Sequence, residues 1–453
     1  MLHLPVAEAE NQQLGPSQAV PRVGGFTASC VLVSNAVGSG IFTTTGFLAR
    51  DVGDPGWILA LWVIGGALAL AGALSYAELG AAMPRVGGEY VYLREAFGRP
   101  LAFLSGWTSF TIGFGAAIAA ASIGFAHYLA VLLPQAFAEM PPSVAAGALV
   151  WVLTGIHLIG VEEGGRFQRY ITLLKIGGTL LLLTAGFASA GGSWEHLSSE
   201  EGGVEPRLGV AAVGLIFVLY SYSGWNAASY IAGEIERPER NLPRALAAGT
   251  IFVALLYLAV NLFYFYALPV SALAAEPVLP VAEKAASALI GSGASSAVAA
   301  LLCVSIAGAS SSMVWAGPRV TWAMADDGIV PHSLGEKSRS GAPRAALLAQ
   351  AVWITLLLLT GTFEQLVVYG GFAIALFSAA AVASVFVLRR RLPELSRPFR
   401  VPGYPWVPAT FIAATLWIAG YVLIERPTEA LLSLATILAG LPLYVWWKWR
   451  MVK

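Results

Sequence analysis

Apolar residues run along this chain in long stretches separated by short polar punctuation. Twelve such segments can be marked, at 24–49, 56–82, 99–133, 143–160, 167–189, 208–234, 244–268, 288–325, 344–361, 364–388, 405–424 and 428–447. Most approach or exceed the roughly 20 residues that an α-helix needs to cross a ~30 Å hydrocarbon core. The pattern predicts an all-α integral membrane protein with 12 transmembrane helices. The eighth segment is too long for one straight span, which predicts a tilt or a continuation into the aqueous phase.

Two of the segments are interrupted from within. The first contains Asn35-Ala36-Val37-Gly38-Ser39-Gly40-Ile41-Phe42, with apolar sequence on both sides. Gly-Ser-Gly is poor helix material, because glycine has the most conformational freedom to lose. A helix that opens there frees backbone groups that protein, water or a ligand must satisfy inside the membrane. The N-terminus of the following half-helix then suits a carboxylate, and the carbonyl end of the preceding half suits an ammonium. A zwitterion fits that pair. The competing reading is a small-residue packing face between ordinary membrane helices. The sixth segment contains Tyr220-Ser221-Tyr222-Ser223-Gly224-Trp225-Asn226, a second run of small and polar residues in apolar surroundings. Five spans separate the two breaks, so segments one and six cross in opposite directions. Interrupted segments at corresponding places in two halves point to an inverted-repeat transporter with its site near the midplane.

Composition agrees with the membrane reading: 57% of the 453 residues are hydrophobic and 11% are charged, with zero net charge. No free-standing basic block occurs, so nucleic acid is not expected as a partner; membrane lipid is. Orientation follows from Lys and Arg. With a cytoplasmic N-terminus, 21 of the 26 basic residues fall on the inner side, only Arg50, Arg207, Lys284 and Arg426 fall outside, and Lys175 lies within a span. The positive-inside rule therefore predicts both termini in the cytoplasm. Residues 1–22 read as a polar tail without the pattern of a signal peptide. The outer loop 190–207 carries Glu195, Glu200, Glu201 and Glu205. Cys30 and Cys303 both lie within apolar segments, so no disulfide-linked heavy subunit is expected. The histidines show no metal spacing, and there is no nucleophile elbow or phosphate loop. Neither an enzyme nor a cofactor or metal site is expected.

Five stretches together resemble the amino acid–polyamine–organocation superfamily, closest in pattern to bacterial L-type neutral amino acid exchangers. They are Gly38 to Phe42; Ser75-Tyr76-Ala77-Glu78-Leu79 with Pro84-Arg85-Val86-Gly87-Gly88-Glu89-Tyr90; Tyr220 to Asn226; Gly233 to Arg244; and Gly317-Pro318-Arg319 to Asp327-Gly328. The resemblance implies a five-plus-five inverted repeat like that of the sodium-coupled leucine transporter, with discontinuous helices 1 and 6. Its core would fill 23–390, as repeats ~23–190 and ~207–390, and 391–453 would add two helices and a short cytoplasmic end. It also implies a site. The substrate carboxylate would meet backbone N–H groups near Ser39, Gly40 and Ile41, and its ammonium would meet carbonyls near Ala36, Tyr220 and Ser223. Tyr220 stands where relatives commonly carry a Phe lid, and Ser221 would add polarity to the pocket. Asn261 and Tyr264, three residues apart, share a helix face and match a polar pair beside the substrate in exchangers.

Lys175 is a charge inside a span, which is functional by default, although its stem could snorkel to the inner interface. By resemblance its ammonium occupies the place of sodium and links the first and eighth spans. Glu78 reads as a helix-packing contact, and Ser310, Ser311 and Ser312 as interhelical hydrogen bonding. The Arg-, Glu- and Pro-rich loops 84–99 and 234–244 read as salt-bridged braces of the inner gate. Together these residues predict a secondary transporter of neutral L-amino acids, working by sodium-independent exchange or uptake. The alternatives are a proton-coupled symporter, a carrier of cationic amino acids or polyamines, and a substrate-sensing receptor. A pocket acid would favour cations, and none of the site residues named here is acidic.

Overall fold

Every apolar segment marked on the sequence contains helix in the computed structural model, which describes residues 23–137, 140–198, 208–276, 278, 280–291, 293–359 and 363–451. The expected tail 1–22 lies outside the described residues, as do Glu200, Glu201, Glu205 and Arg207 of the outer loop. The first segment divides into α1 (Gly25–Ala36) and α2 (Ser39–Asp51). Then follow α3 (Pro55–Ala82), the short α4 (Glu89–Phe97) and α5 (Arg99–Thr108). A π-helical turn, Ser109–Phe114, joins α5 to α6 (Gly115–Leu132), and α7 (Pro134–Phe137) is one turn long. Next come α8 (Pro142–Ile159), α9 (Val161–Phe187), α10 (Leu208–Tyr222) and the four-residue α11 (Ala227–Tyr230). The chain continues through α12 (Pro238–Ala267), α13 (Val270–Ala274), α14 (Val281–Ile290) and α15 (Ala294–Asp326). It ends with α16 (Arg344–Leu357), α17 (Phe363–Arg391), α18 (Trp406–Glu425) and α19 (Pro427–Met451).

Ten helical stretches among the described residues are long and apolar enough to cross a bilayer; α10 and α16 are shorter apolar helices. This is a multi-pass membrane protein. Two features differ from the sequence expectation. The run 288–325 is not one helix, because α14 ends at Ile290 and α15 starts afresh at Ala294. At 33 residues α15 is still about 50 Å long and outruns the hydrocarbon core. Beyond the second break stands only the single turn of α11, followed by a 3-10 turn at Ala232–Glu234, so no long half-helix dipole faces that gap.

The centre of the bundle is formed by α1, which packs against α9, α12 and α15. Its partner α2 packs against α10, which also lies against α3, α17 and α18. At the Arg-rich end, both loops singled out on the sequence reach α15. Glu234 is ion-paired with Arg319 at 3.1 Å, and Tyr90 donates to Asp327 at 2.6 Å beside an Arg94–Asp327 ion pair. The start of α1 is held in the same assembly, since Val23 N–H donates to the Glu234 carbonyl and Glu236 N–H donates back to Val23. Glu78 pairs with Arg389 at 2.6 Å and accepts the Val401 N–H at 2.7 Å, so it fastens α3 to α17 and the segment after it.

Glu234 and Arg319 are both almost wholly buried. Removing one member of such a pair strands the other charge and costs about 3–5 kcal/mol, whereas an apolar replacement of both costs far less. Glu234→Ala is expected to lower the melting temperature in detergent sharply, and Glu234→Met with Arg319→Met to recover most of the loss. Thermal unfolding followed by size-exclusion chromatography measures both.

Candidate functional site

The first break is a gap of two residues, Val37 and Gly38, between α1 and α2. A helix end leaves its last carbonyls and first N–H groups without intrahelical partners. On the carbonyl side the protein supplies the partner itself. Lys175 Nζ, fully buried on α9, donates to the carbonyls of Ser34 at 2.6 Å and Val37 at 2.5 Å, and lies 3.5 Å from that of Ser305 on α15. The side chain is turned into the bundle and joins α9, the broken α1 and α15; it does not snorkel. On the other side no side chain caps α2, whose first turn begins Ser39-Gly40-Ile41.

The second break is drawn onto the first. Tyr257 of α12 places its hydroxyl 2.5 Å from the Ala36 carbonyl and 2.8 Å from that of Ser221. Ser221 Oγ lies 2.9 Å from Thr44 Oγ1 and donates to the Phe217 carbonyl at 2.9 Å. Gly40 is what allows this approach, because a Cβ there would lie 2.8 Å from Ser221 Cα. Farther along α2, Thr45 donates to Asn261 Oδ1 at 2.6 Å, and the Tyr264 hydroxyl donates to the Ile41 carbonyl at 3.3 Å. Asn261 Nδ2 is used on its own helix, on the Tyr257 carbonyl.

A cavity of about 90 Å³ lies beside the breaks and touches Asn35 of the first and part of Tyr220 to Asn226 of the second. Of the site residues expected from sequence, Tyr220 and Ser223 line it. Gly40, Ile41, Ser221, Asn261 and Tyr264 lie instead in the contact of α2 with α10 and α12, the Ala36 carbonyl of α1 meets Tyr257, buried Ser39 starts α2 outside the lining, and Lys175 lies behind α1. The wall holds further polar groups that the sequence reading did not select: Asn35, Glu89, Ser109, Asn226 and Tyr230. Glu89 is the first residue of α4, aimed by Gly88, whose φ of +54° only glycine adopts readily. Its carboxylate accepts from Tyr76 at 2.8 Å and Ser109 at 3.3 Å. Burial raises its pKa above the ordinary glutamate value, against the lowering effect of the Tyr76, Ser109 and Tyr230 hydroxyls. An acid thus lines the cavity, although none of the site residues expected from the sequence is acidic. The signal was present, since Gly87-Gly88-Glu89 stood among the motif residues, but it had been read as part of an inner loop. The π turn that brings Ser109 and Phe114 to the wall left no sign in the apolar run 99–133.

Other candidates resolve as packing. Ser312 donates to the Val31 carbonyl at 2.8 Å, and Ser311 Oγ lies 2.9 Å from His157 Nε2.

A broken first helix, a lysine on its freed carbonyls and a cavity beside the second break suit a carrier of small zwitterions. The profile of the family described as amino acid permease matches residues 23–440. The chain belongs to that family. Among its relatives, the permease is 30% identical over 435 residues to the serine/threonine exchanger SteT of Bacillus subtilis (strain 168), covering 94% of this chain and 97% of that protein. It is 28% identical to the large neutral amino acids transporter small subunit 2 of Mus musculus, covering 97% and 84% of the two chains. It is 27% identical to the human cystine/glutamate transporter, covering 91% and 82%. The permease is therefore a transporter and not an enzyme.

Because the atoms a Gly40 side chain meets include backbone, α2 would have to move away from α10 to admit one. Gly40→Val is expected to abolish substrate binding while the protein still inserts and runs as a single species. Scintillation-proximity binding reads this directly, and an unchanged affinity would remove Gly40 from the site.

Proposed function

We propose that this permease exchanges neutral L-amino acids across the cell membrane by alternating access, without sodium. The observation that carries this reading is the first break itself. Its carbonyl side is held by Lys175, and its N-terminal side, at Ser39 and Gly40, is uncapped and suited to a substrate carboxylate. A fixed ammonium on the carbonyls of Ser34 and Val37 repels any cation at that point, so no sodium is needed to bridge α1 and α15. The substrate ammonium faces the carbonyls near Ala36, Tyr220 and Ser223. The names of the relatives, serine/threonine exchanger and large neutral amino acids transporter small subunit, support neutral substrates.

In this reading twelve helices cross the membrane, two five-helix repeats (~23–190 and ~207–390) are inverted, and 391–453 adds two more. Both termini lie in the cytoplasm. The contact of α2 with α10 closes the outer side, and the cavity at Glu89 opens inward. No disulfide-linked second chain is expected, because both cysteines are buried.

Purified permease in liposomes tests the reading. Labelled alanine should exchange against internal alanine equally well with and without sodium or a proton gradient. N-acetylated and esterified amino acids should not compete, because each lacks one of the two charges; equal competition would contradict the site. Lys175→Ala should abolish exchange, since it leaves buried carbonyls without donors. Lys175→Arg should fail as well, because a planar guanidinium cannot replace a compact ammonium. Near-wild-type exchange by both would end the coupling role.

A further inference from the structure

Glu89 lines the cavity with a carboxyl group that, among the described residues, no cation pairs with. The buried carboxylates of Glu78 and Glu234 are both paired with arginines. Glu89 is comparably buried, yet among the described residues it forms no ion pair; its partners are the hydroxyls of Tyr76, Ser109 and Tyr230. A buried carboxylate is costly unless compensated, and it can accept about four hydrogen bonds. The N-terminus of α4 and the three hydroxyls offset part of that cost. The remaining acceptor capacity faces a cavity that also touches the helix breaks at Asn35, Tyr220 and Ser223.

From this arrangement we infer that Glu89 is the side-chain subsite of the transported amino acid. It accepts neutral side chains that end in a hydrogen-bond donor, hydroxyl or amide, and rejects those that end in a carboxylate. The inference rests on the amino acid reading proposed above. With the α-amino and α-carboxylate groups at the breaks, the side chain extends along the wall toward Glu89, Ser109 and Tyr230. A donor there takes up the free acceptor positions. A second carboxylate at short range in a water-poor cavity is repelled. The competing reading is that Glu89 only braces α3 and the π turn through Tyr76 and Ser109.

Isosteric competitors separate the two. Liposomes exchanging labelled alanine are challenged with asparagine against aspartate and threonine against valine. In the wild type asparagine should compete at least ~10-fold better than aspartate, the penalty of placing like charges together. Threonine should likewise outcompete valine. Glu89→Gln should bring aspartate to within a few-fold of asparagine, and Glu89→Asp should keep the exclusion. Each ratio is taken within one variant, so a general loss of activity does not alter it. Aspartate competing as well as asparagine in the wild type overturns the subsite, as does Glu89→Gln keeping the wild-type ratio. If Glu89→Gln does not insert, the wild type and Glu89→Asp carry the same test. Absence of any alanine exchange in the wild type would instead strike the proposed function.

Discussion

The carbonyls of Ser34 and Val37 are released where α1 stops, deep in an apolar bundle, and Lys175 takes both. Each component would be untenable alone. An ammonium in the hydrocarbon region costs several kcal/mol, and so does each unsatisfied carbonyl. Together they cancel much of each other's cost and fix α9, α1 and α15 around a single point. The break at Gly38 can therefore persist without a bound ion. Everything on the other side of the gap, the uncapped start of α2 and its contact with α10, depends on α1 ending there.

Around that point the bundle is asymmetric. On one side Gly40 admits Ser221 to van der Waals contact, and Thr44, Thr45 and Tyr264 add hydrogen bonds to α10 and α12. On the other side a cavity is lined by α10, α17 and the π turn. Charged groups gather at this end, where α4 and the segment after α11 are both tied to the end of the chain's longest helix, α15. The first side is closed by small residues and hydroxyls at short range. The second is braced by ion pairs at its rim. Short-range contacts of the first kind separate cleanly when helices shift, whereas buried ion pairs hold their elements together.

Much of this was legible from residues alone. Both breaks were visible because glycine and serine interrupt runs that are otherwise apolar, and Lys175 because a charge inside a span needs a reason. What sequence could not carry is which face each side chain takes. Ser221 looked like a pocket residue by its place in the break, but its Oγ turns to Thr44 and the Phe217 carbonyl. Asn261 and Tyr264 share a face as their spacing required, yet that face meets α2 and not the cavity. Glu89 was missed for a related reason: a charge in a loop is ordinarily solvated, and only the course of Gly87 and Gly88 turns this one inward. A π turn changes helix register by one residue without any signature in hydrophobic pattern. Conversely, the length of the 288–325 run overstated one helix, although Gly291-Ser292-Gly293 stands between α14 and α15 as Gly38-Ser39-Gly40 stands at the first break.

Tyr257 carries one further consequence. Its hydroxyl has a single proton and sits within reach of two carbonyls, Ala36 on the first broken helix and Ser221 on the second. It can donate to only one at a time. If α1 and α10 move apart, the proton can stay with either partner by a small rotation about the phenol C–O bond, and the tyrosine loses no hydrogen bond. The energy of separating the two helices at this point is then nearly flat with respect to the tyrosine. It behaves as a swivel between the two halves of the bundle and not as a clasp.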